Sequence, residues 1–136
     1  MPTYPLYDNN AADLTASTGR PLSDVTLERA LAGELSLDDL QIHRAALDAQ
    51  AAIAAAAGYT QLAENLGRAA EMTIIPRSEI IEMYQILRPG RSDAATLAAL
   101  AERLAVVYQA PRCAALVREA AQVYSDRGML RHPDAL

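Results

Sequence analysis

The chain has no tryptophan, no phenylalanine and no lysine, and one cysteine, Cys113. Without Phe or Trp the six tyrosines are its only aromatics. A single cysteine excludes an internal disulfide and suits a reducing, cytosolic setting. Histidine is almost as scarce, with His43 and His132 alone. A metal pair on a helix would place a second ligand three or four residues after His43, where Ala46 and Leu47 stand instead. His43 therefore reads as a solvated or interface side chain, and His132 as part of the tail before Pro133. No basic stripe of the kind nucleic-acid binders carry is present, and the net charge is −5. Met1-Pro2-Thr3-Tyr4-Pro5 has no positive region followed by an apolar run, so no signal peptide is expected. No apolar run approaches the roughly 18 residues of a membrane span without breakers or charges; the closest, Ala49 to Ala57, is short and alanine-rich. The expected location is the cytoplasm.

What the chain does have is alanine. At 136 residues it has the length of one domain with one core, and 51% of it is hydrophobic. Alanine dominates that fraction. It is the best helix former, yet it buries little apolar surface per residue. Many helices with thin cores gain when another protein covers them, which favours a subunit over a free-standing domain. All basic residues are arginine. That is either a choice for bidentate pairing or the imprint of a GC-rich coding bias, which the alanine content also fits.

The pattern along the chain predicts an all-α fold of about six short-to-medium helices in a compact orthogonal or antiparallel bundle. Residues 1–22, punctuated by Pro2, Pro5, Gly19 and Pro21, read either as a frayed terminus or as an extended N-terminal arm laid across a partner with Tyr4, Leu6 and Tyr7 as anchors, and the arm is the expectation taken forward. Residues 23–130 form the helical domain and 131–136 a C-terminal tail. Thr26 is expected to cap a short helix that Gly33 ends. Ser36 and Asp39 resemble a capping box opening a helix that runs to about Ala57 before Gly58. A third helix spans about Thr60 to Thr73. Pro76 suits the first turn of a fourth, with Ile80, Met83, Tyr84 and Leu87 as its core face. Ser92 is read as the cap of a fifth, through about Gln109. Pro111 starts a sixth, through about Arg127, with Gly128 as its stop. Leu97, Leu100, Ala101, Leu104, Val107 and Tyr108 share one spacing with Cys113, Leu116, Val117, Ala120, Val123 and Tyr124. Two such amphipathic helices around a tight Pro turn read as a helical hairpin.

No constellation for catalysis emerges. Cys113 lies on the core stripe and reads as a small buried hydrophobe rather than a nucleophile, which would need a base beside it. Asp38, Asp39, Glu64, Glu71, Glu79, Glu82, Glu102 and Glu119 fall mostly off the apolar stripes, as a solvated face does. Arg88 and Arg91 flank Pro89-Gly90 and could cradle an anion. Arg88, however, stands at a helix C-terminus, where a cation suits the dipole and an anion does not. Helix termination with a surface or interface ion pair is the preferred reading. No residue is assigned a catalytic, cofactor-binding or metal-binding role.

One set of segments points further. These are Thr18-Gly19-Arg20-Pro21-Leu22, Asp24-Val25-Thr26-Leu27-Glu28 to Gly33-Glu34, Gln50-Ala51 and Ile53-Ala54. Densest are Arg68-Ala69-Ala70-Glu71, Ile75-Pro76, Ile80, Tyr84, Leu87-Arg88-Pro89 and Arg91-Ser92, followed by Val117-Arg118-Glu119-Ala120 and Val123-Tyr124. In order and spacing they resemble the small (gamma) subunit of adenosylcobalamin-dependent diol and glycerol dehydratases, over about residues 18–130. The resemblance implies a helical, non-catalytic subunit of a carbon–oxygen lyase, assembled with large (alpha) and medium (beta) subunits as α2β2γ2. It implies that substrate and metal lie in the large subunit and adenosylcobalamin between large and medium subunits, with none on this chain. In that family an adenosyl radical removes hydrogen from a 1,2-diol, a hydroxyl migrates, and loss of water leaves an aldehyde. Candidate subunit-interface residues are Tyr4, Tyr7, Arg20, Pro21, Arg88, Pro89 and Arg91. Gly67 departs from the larger, often basic residue that relatives carry there. The region before Thr18 is shorter than the extensions linked to bacterial microcompartments in some diol dehydratases, so encapsulation is the less favoured location. Two other readings stand beside this one: a stand-alone helical adaptor or regulatory module, and a small hydrolase using facing carboxylates.

Overall fold

Alanine-rich stretches broken by Gly and Pro give helices with sharply set ends, and the computed structural model, which describes residues 1–132, is all-α. Among the described residues there are seven α-helices and no strand, only two isolated bridges. The helices are α1 (Leu6–Asn10), α2 (Leu27–Leu31), α3 (Arg44–Ala56), α4 (Thr60–Met72), α5 (Arg77–Ile86), α6 (Ala94–Val106) and α7 (Pro111–Asp126). Three short 3-10 turns, Ala11–Asp13, Leu22–Asp24 and Leu37–Leu40, lie between them. The chain divides into two compact units, Met1–Thr73 and the remainder from Ile74. The proposed tail, 131–136, lies mostly outside the described residues.

In the first unit α3 and α4 pack together along their length. The turn between them follows from Gly58. The amide of Tyr59 reaches back to the Ala54 carbonyl at 2.9 Å, and that of Gly58 to Ala55 at 3.0 Å. This closure needs a left-handed residue after the helix, and Gly58 sits at φ 85° at no steric cost. The same main-chain closure ends α2 at Gly33 and α7 at Gly128.

The helix expected from Ser36 to Ala57 is two elements. Ser36 and Asp39 do form a capping box, but it opens only the 3-10 turn Leu37–Leu40. Gln41 is extended, and α3 restarts at Arg44 with His43 as its N-cap. The His43 Nδ1 accepts from the Ala45 amide at 3.0 Å. A histidine is an unusual cap, which is why the break is hard to see in the sequence. Residues 1–22 also depart from an extended arm, since α1 and the turn after it occupy the middle of that segment.

In the second unit α6 and α7 pair closely and α5 packs on α6. Leu97, Leu104 and Val117 are fully buried, with Leu100, Ala101, Cys113 and Ala114 around them. Val107 and Leu116, placed on the shared stripe by spacing, are exposed. α6 stops at Val106, which leaves Val107 in its C-cap, and the buried line of α7 is rotated toward Ala114. Tyr84 also lies outside the core, because α5 turns Met83 inward. Pro111 occupies the first turn of α7 as expected. Before it, Gln109 adopts φ 49°, a left-handed position taken here by a non-glycine residue.

Three outcomes test this account. Leu104→Ala removes a fully buried side chain and is expected to cost about 2–5 kcal/mol in urea unfolding. Val106→Ala, on the open side of the same helix, should change stability by less than about 0.5 kcal/mol. His43→Ala should lower stability by about 1 kcal/mol through loss of the α3 cap. Unchanged unfolding midpoints for both Leu104→Ala and His43→Ala would contradict the packing and the cap described here.

Candidate subunit interface

Pro21 and Gly19 turn the chain at residues 14–22 back on itself, and that loop is fastened to the stretch 36–42. The Ala16 amide donates to the Arg20 carbonyl at 2.9 Å and the Leu22 amide to Leu14 at 3.0 Å. The Ser17 amide reaches the Gln41 carbonyl at 3.0 Å, and its hydroxyl reaches that of Asp38 at 3.0 Å. At the centre is the buried carboxylate of Asp39. It accepts from the Thr18 hydroxyl at 2.7 Å, from the Ser36 amide at 2.9 Å and from the Ser36 hydroxyl at 3.2 Å. The Arg20 Nε lies 3.2 Å from its Oδ1. The Ser36 N–H foremost, then the Thr18 hydroxyl, hold this carboxyl well below the usual carboxylate range. Burial works the other way, and Arg20 adds to the lowering. The guanidinium of Arg20 also donates to the Glu34 carbonyl at 3.3 Å.

The clasp sets out an open apolar surface. Leu27 and Leu31, one turn apart on α2, and Leu37 and Leu40 on the 3-10 turn are all exposed, Leu31 at 80% and Leu37 at 82%. By contrast, the buried apolar side chains of the first unit are those of Ala16, Ala54 and Ala70. Tyr4 and Tyr7 are exposed as well. Tyr4 lines an apolar groove of about 460 Å³ with Leu6, Ile53, Tyr59, Leu62 and Leu66.

Of the residues singled out from the sequence, Tyr4, Tyr7, Arg20 and Pro21 fall in the first unit. Pro21 is exposed while Arg20 is committed to Asp39. Arg88, Pro89 and Arg91 fall in the second unit and are exposed. They form a turn in which the Arg91 amide donates to the Arg88 carbonyl at 3.1 Å and Gly90 has φ 76°. Neither arginine forms an ion pair with another described residue; Arg88 touches only the Gln85 amide oxygen, at 3.4 Å. Ser92 is not the cap of α6. Asp93 is, accepting from the Thr96 amide at 2.8 Å, and that bond chiefly lowers its carboxyl pKa. Ser92 is buried, and its hydroxyl donates to the Ile86 carbonyl at 2.8 Å, tying α5 to the start of α6. Asp39 and Glu71 are likewise buried, against the solvated positions read for the carboxylates. Among the described residues no group of three or more His, Cys, Asp or Glu could hold a metal ion, and no helix is long and apolar enough to cross a membrane.

Residues 1–131 match the family described as dehydratase small subunit. The chain belongs to that family. It is 42% identical over 131 residues to the propanediol dehydratase small subunit of Salmonella typhimurium, covering 96% of this chain and 76% of that protein. The likeness to the propanediol dehydratase small subunit of Citrobacter freundii is of the same extent, 42% over 131 residues. The family resemblance read from the segments between Thr18 and Tyr124 is thus borne out. Gly67 lies in α4 and is buried.

The clasp makes a pH-dependent prediction. A carboxyl whose folded pKa is depressed contributes stability that is fully present above its unfolded value, about 4, and is lost as pH falls below it. Asp39→Asn is therefore expected to lower the melting temperature at pH 7 by on the order of 5 °C. The gap to the unaltered chain should narrow progressively below about pH 4. Thermal melts between pH 3 and pH 7 measure both; equal melting temperatures at pH 7 would remove Asp39 from this role.

Proposed function

We propose that this chain is the small structural subunit of an adenosylcobalamin-dependent diol or glycerol dehydratase, an enzyme that converts a 1,2-diol to an aldehyde and water. The observation that carries the proposal is the likeness to propanediol dehydratase small subunits along 96% of the chain. The first unit supports it in physical terms. Its buried apolar residues are alanines while Leu27, Leu31, Leu37, Leu40 and Leu62 are open, an arrangement suited to a surface that another protein covers. In this reading the large and medium subunits hold the substrate, the metal and the adenosylcobalamin, which supplies the radical that starts the reaction. This chain contributes no catalytic residue. Tyr4, Tyr7, Arg20, Pro21, Arg88, Pro89 and Arg91 are its candidate contacts, with Arg20 also paired to Asp39. The assembly is α2β2γ2 and cytoplasmic.

A stand-alone adaptor remains the competing reading, and the same experiment separates the two. Produced together with the large and medium subunits, the chain is expected to copurify with them in a stable complex. Alone, it should neither turn over propane-1,2-diol or glycerol nor bind cobalamin. Large and medium subunits that form a fully active enzyme while this chain stays apart would favour the adaptor and end the subunit reading.

A further inference from the structure

The outward side of α5 is unlike a solvated helix face. Arg77, Ile81 and Tyr84 follow one another at i, i+4 and i+7, which keeps the three within about 60° of one line on α5, and Arg88 stands just past the C-cap Leu87. All four are exposed, Ile81 at 56% and Tyr84 at 61%. The opposite side of the helix buries Met83, with Ile80 and Leu87 half-buried beside it. The ridge is therefore a second apolar face on a helix whose core side is already in use. At its C-terminal end the fold gathers more positive charge. The Tyr124 hydroxyl donates to the Leu87 carbonyl, the Gly90 amide to Met129 at 2.7 Å and the Arg131 amide to Ser92 at 2.9 Å. These bonds bring the turn carrying Arg88 and Arg91 beside the end of α7, where Arg127 stands exposed.

That charge is unspent. Acidic residues outnumber basic ones 17 to 12. Arg20, Arg29, Arg44, Arg103, Arg118 and Arg131 each meet a carboxylate. Arg77, Arg88, Arg91 and Arg127 meet none among the described residues, although the chain has carboxylates to spare. A surface with carboxylates at its edge would complement them. Bare arginines alone would suit any anion, but Ile81 and Tyr84 at the centre of the row select an apolar surface with acidic edges. Tyrosine and arginine are also the side chains that most often anchor protein interfaces.

We propose that this ridge docks onto a neighbouring dehydratase subunit, with Ile81 and Tyr84 entering an apolar depression whose rim carboxylates pair with Arg77, Arg88, Arg91 and Arg127. The proposal rests on the subunit reading above, and its test separates the two. The chain is coexpressed with its large and medium subunits, the large one tagged, and the amount retained is measured at rising salt. The unaltered chain is expected to be retained, and less so as salt screens the rim pairs. The double variant Arg77→Glu with Arg88→Glu, and separately Tyr84→Ala, should be retained at least tenfold less. Arg44→Ala, on α3 in the first unit, should be retained as before. The ridge substitutions are all at exposed side chains, so their circular dichroism melts should overlay that of the unaltered chain; if the double variant unfolds, Tyr84→Ala decides. Ridge variants retained like the unaltered chain would overturn the proposal and leave the subunit reading intact. Failure to retain the unaltered chain would remove both. A chain that dimerises through the ridge, and becomes monomeric in the ridge variants, would overturn the proposal in favour of self-association.

Discussion

Alanine sets the terms of the first unit. A methyl side chain lets two helices approach closely, but it removes little apolar surface from water. Where α3 and α4 meet, that trade gives a well-ordered pair with a shallow core, closed by Ala54 and Ala70. Segments added outside the pair have little apolar depth to bury themselves in. Polar bonds fasten them instead, and Leu27, Leu31, Leu37 and Leu40 are left at the surface. The second unit faces no such limit, because Leu97, Leu104 and Val117 supply the buried bulk that the first unit lacks.

The fastening falls to one carboxylate. Asp39 gathers an amide, two hydroxyls and a guanidinium from two segments far apart in sequence. Charge-assisted bonds of this kind are among the stronger polar contacts, and burial leaves them little competition from water. Geometry thereby converts a local capping box into a long-range tie. A surface of loops and turns, with Leu37 and Leu40 on it, becomes rigid enough to be recognised. Rigidity in the unbound chain lowers the ordering cost of association, which links the polar chemistry of residues 18–39 to the role of a subunit.

How far the sequence revealed this depends on the range of the interaction. The helix stops at Gly33, Gly58 and Gly128, the cap at Thr26 and the start at Pro111 are local signals, and each was legible. The partition of α3 from the turn before it was not, because His43 is a rare cap and the capping box upstream is genuine. The fastening of Thr18 and Arg20 to Asp39 spans about twenty residues and leaves no periodic trace. Tyr84 shows the limit of pattern reading most plainly. Its spacing from Ile80 and Met83 is that of a core position, and only the packing of α5 on α6 decides which of two adjacent stripes is covered. The open side of that helix could not be found before the covered side was known.

Three helix ends, at Gly33, Gly58 and Gly128, are closed by main-chain atoms alone. The hydrogen bonds of those closures run between main-chain atoms, so the identities of the flanking residues can drift without removing them. The tolerance stops at the glycine itself. Variation among related chains should therefore collect around these corners while the corners hold their shape, giving each assembly room to adjust its surface on an unchanged frame.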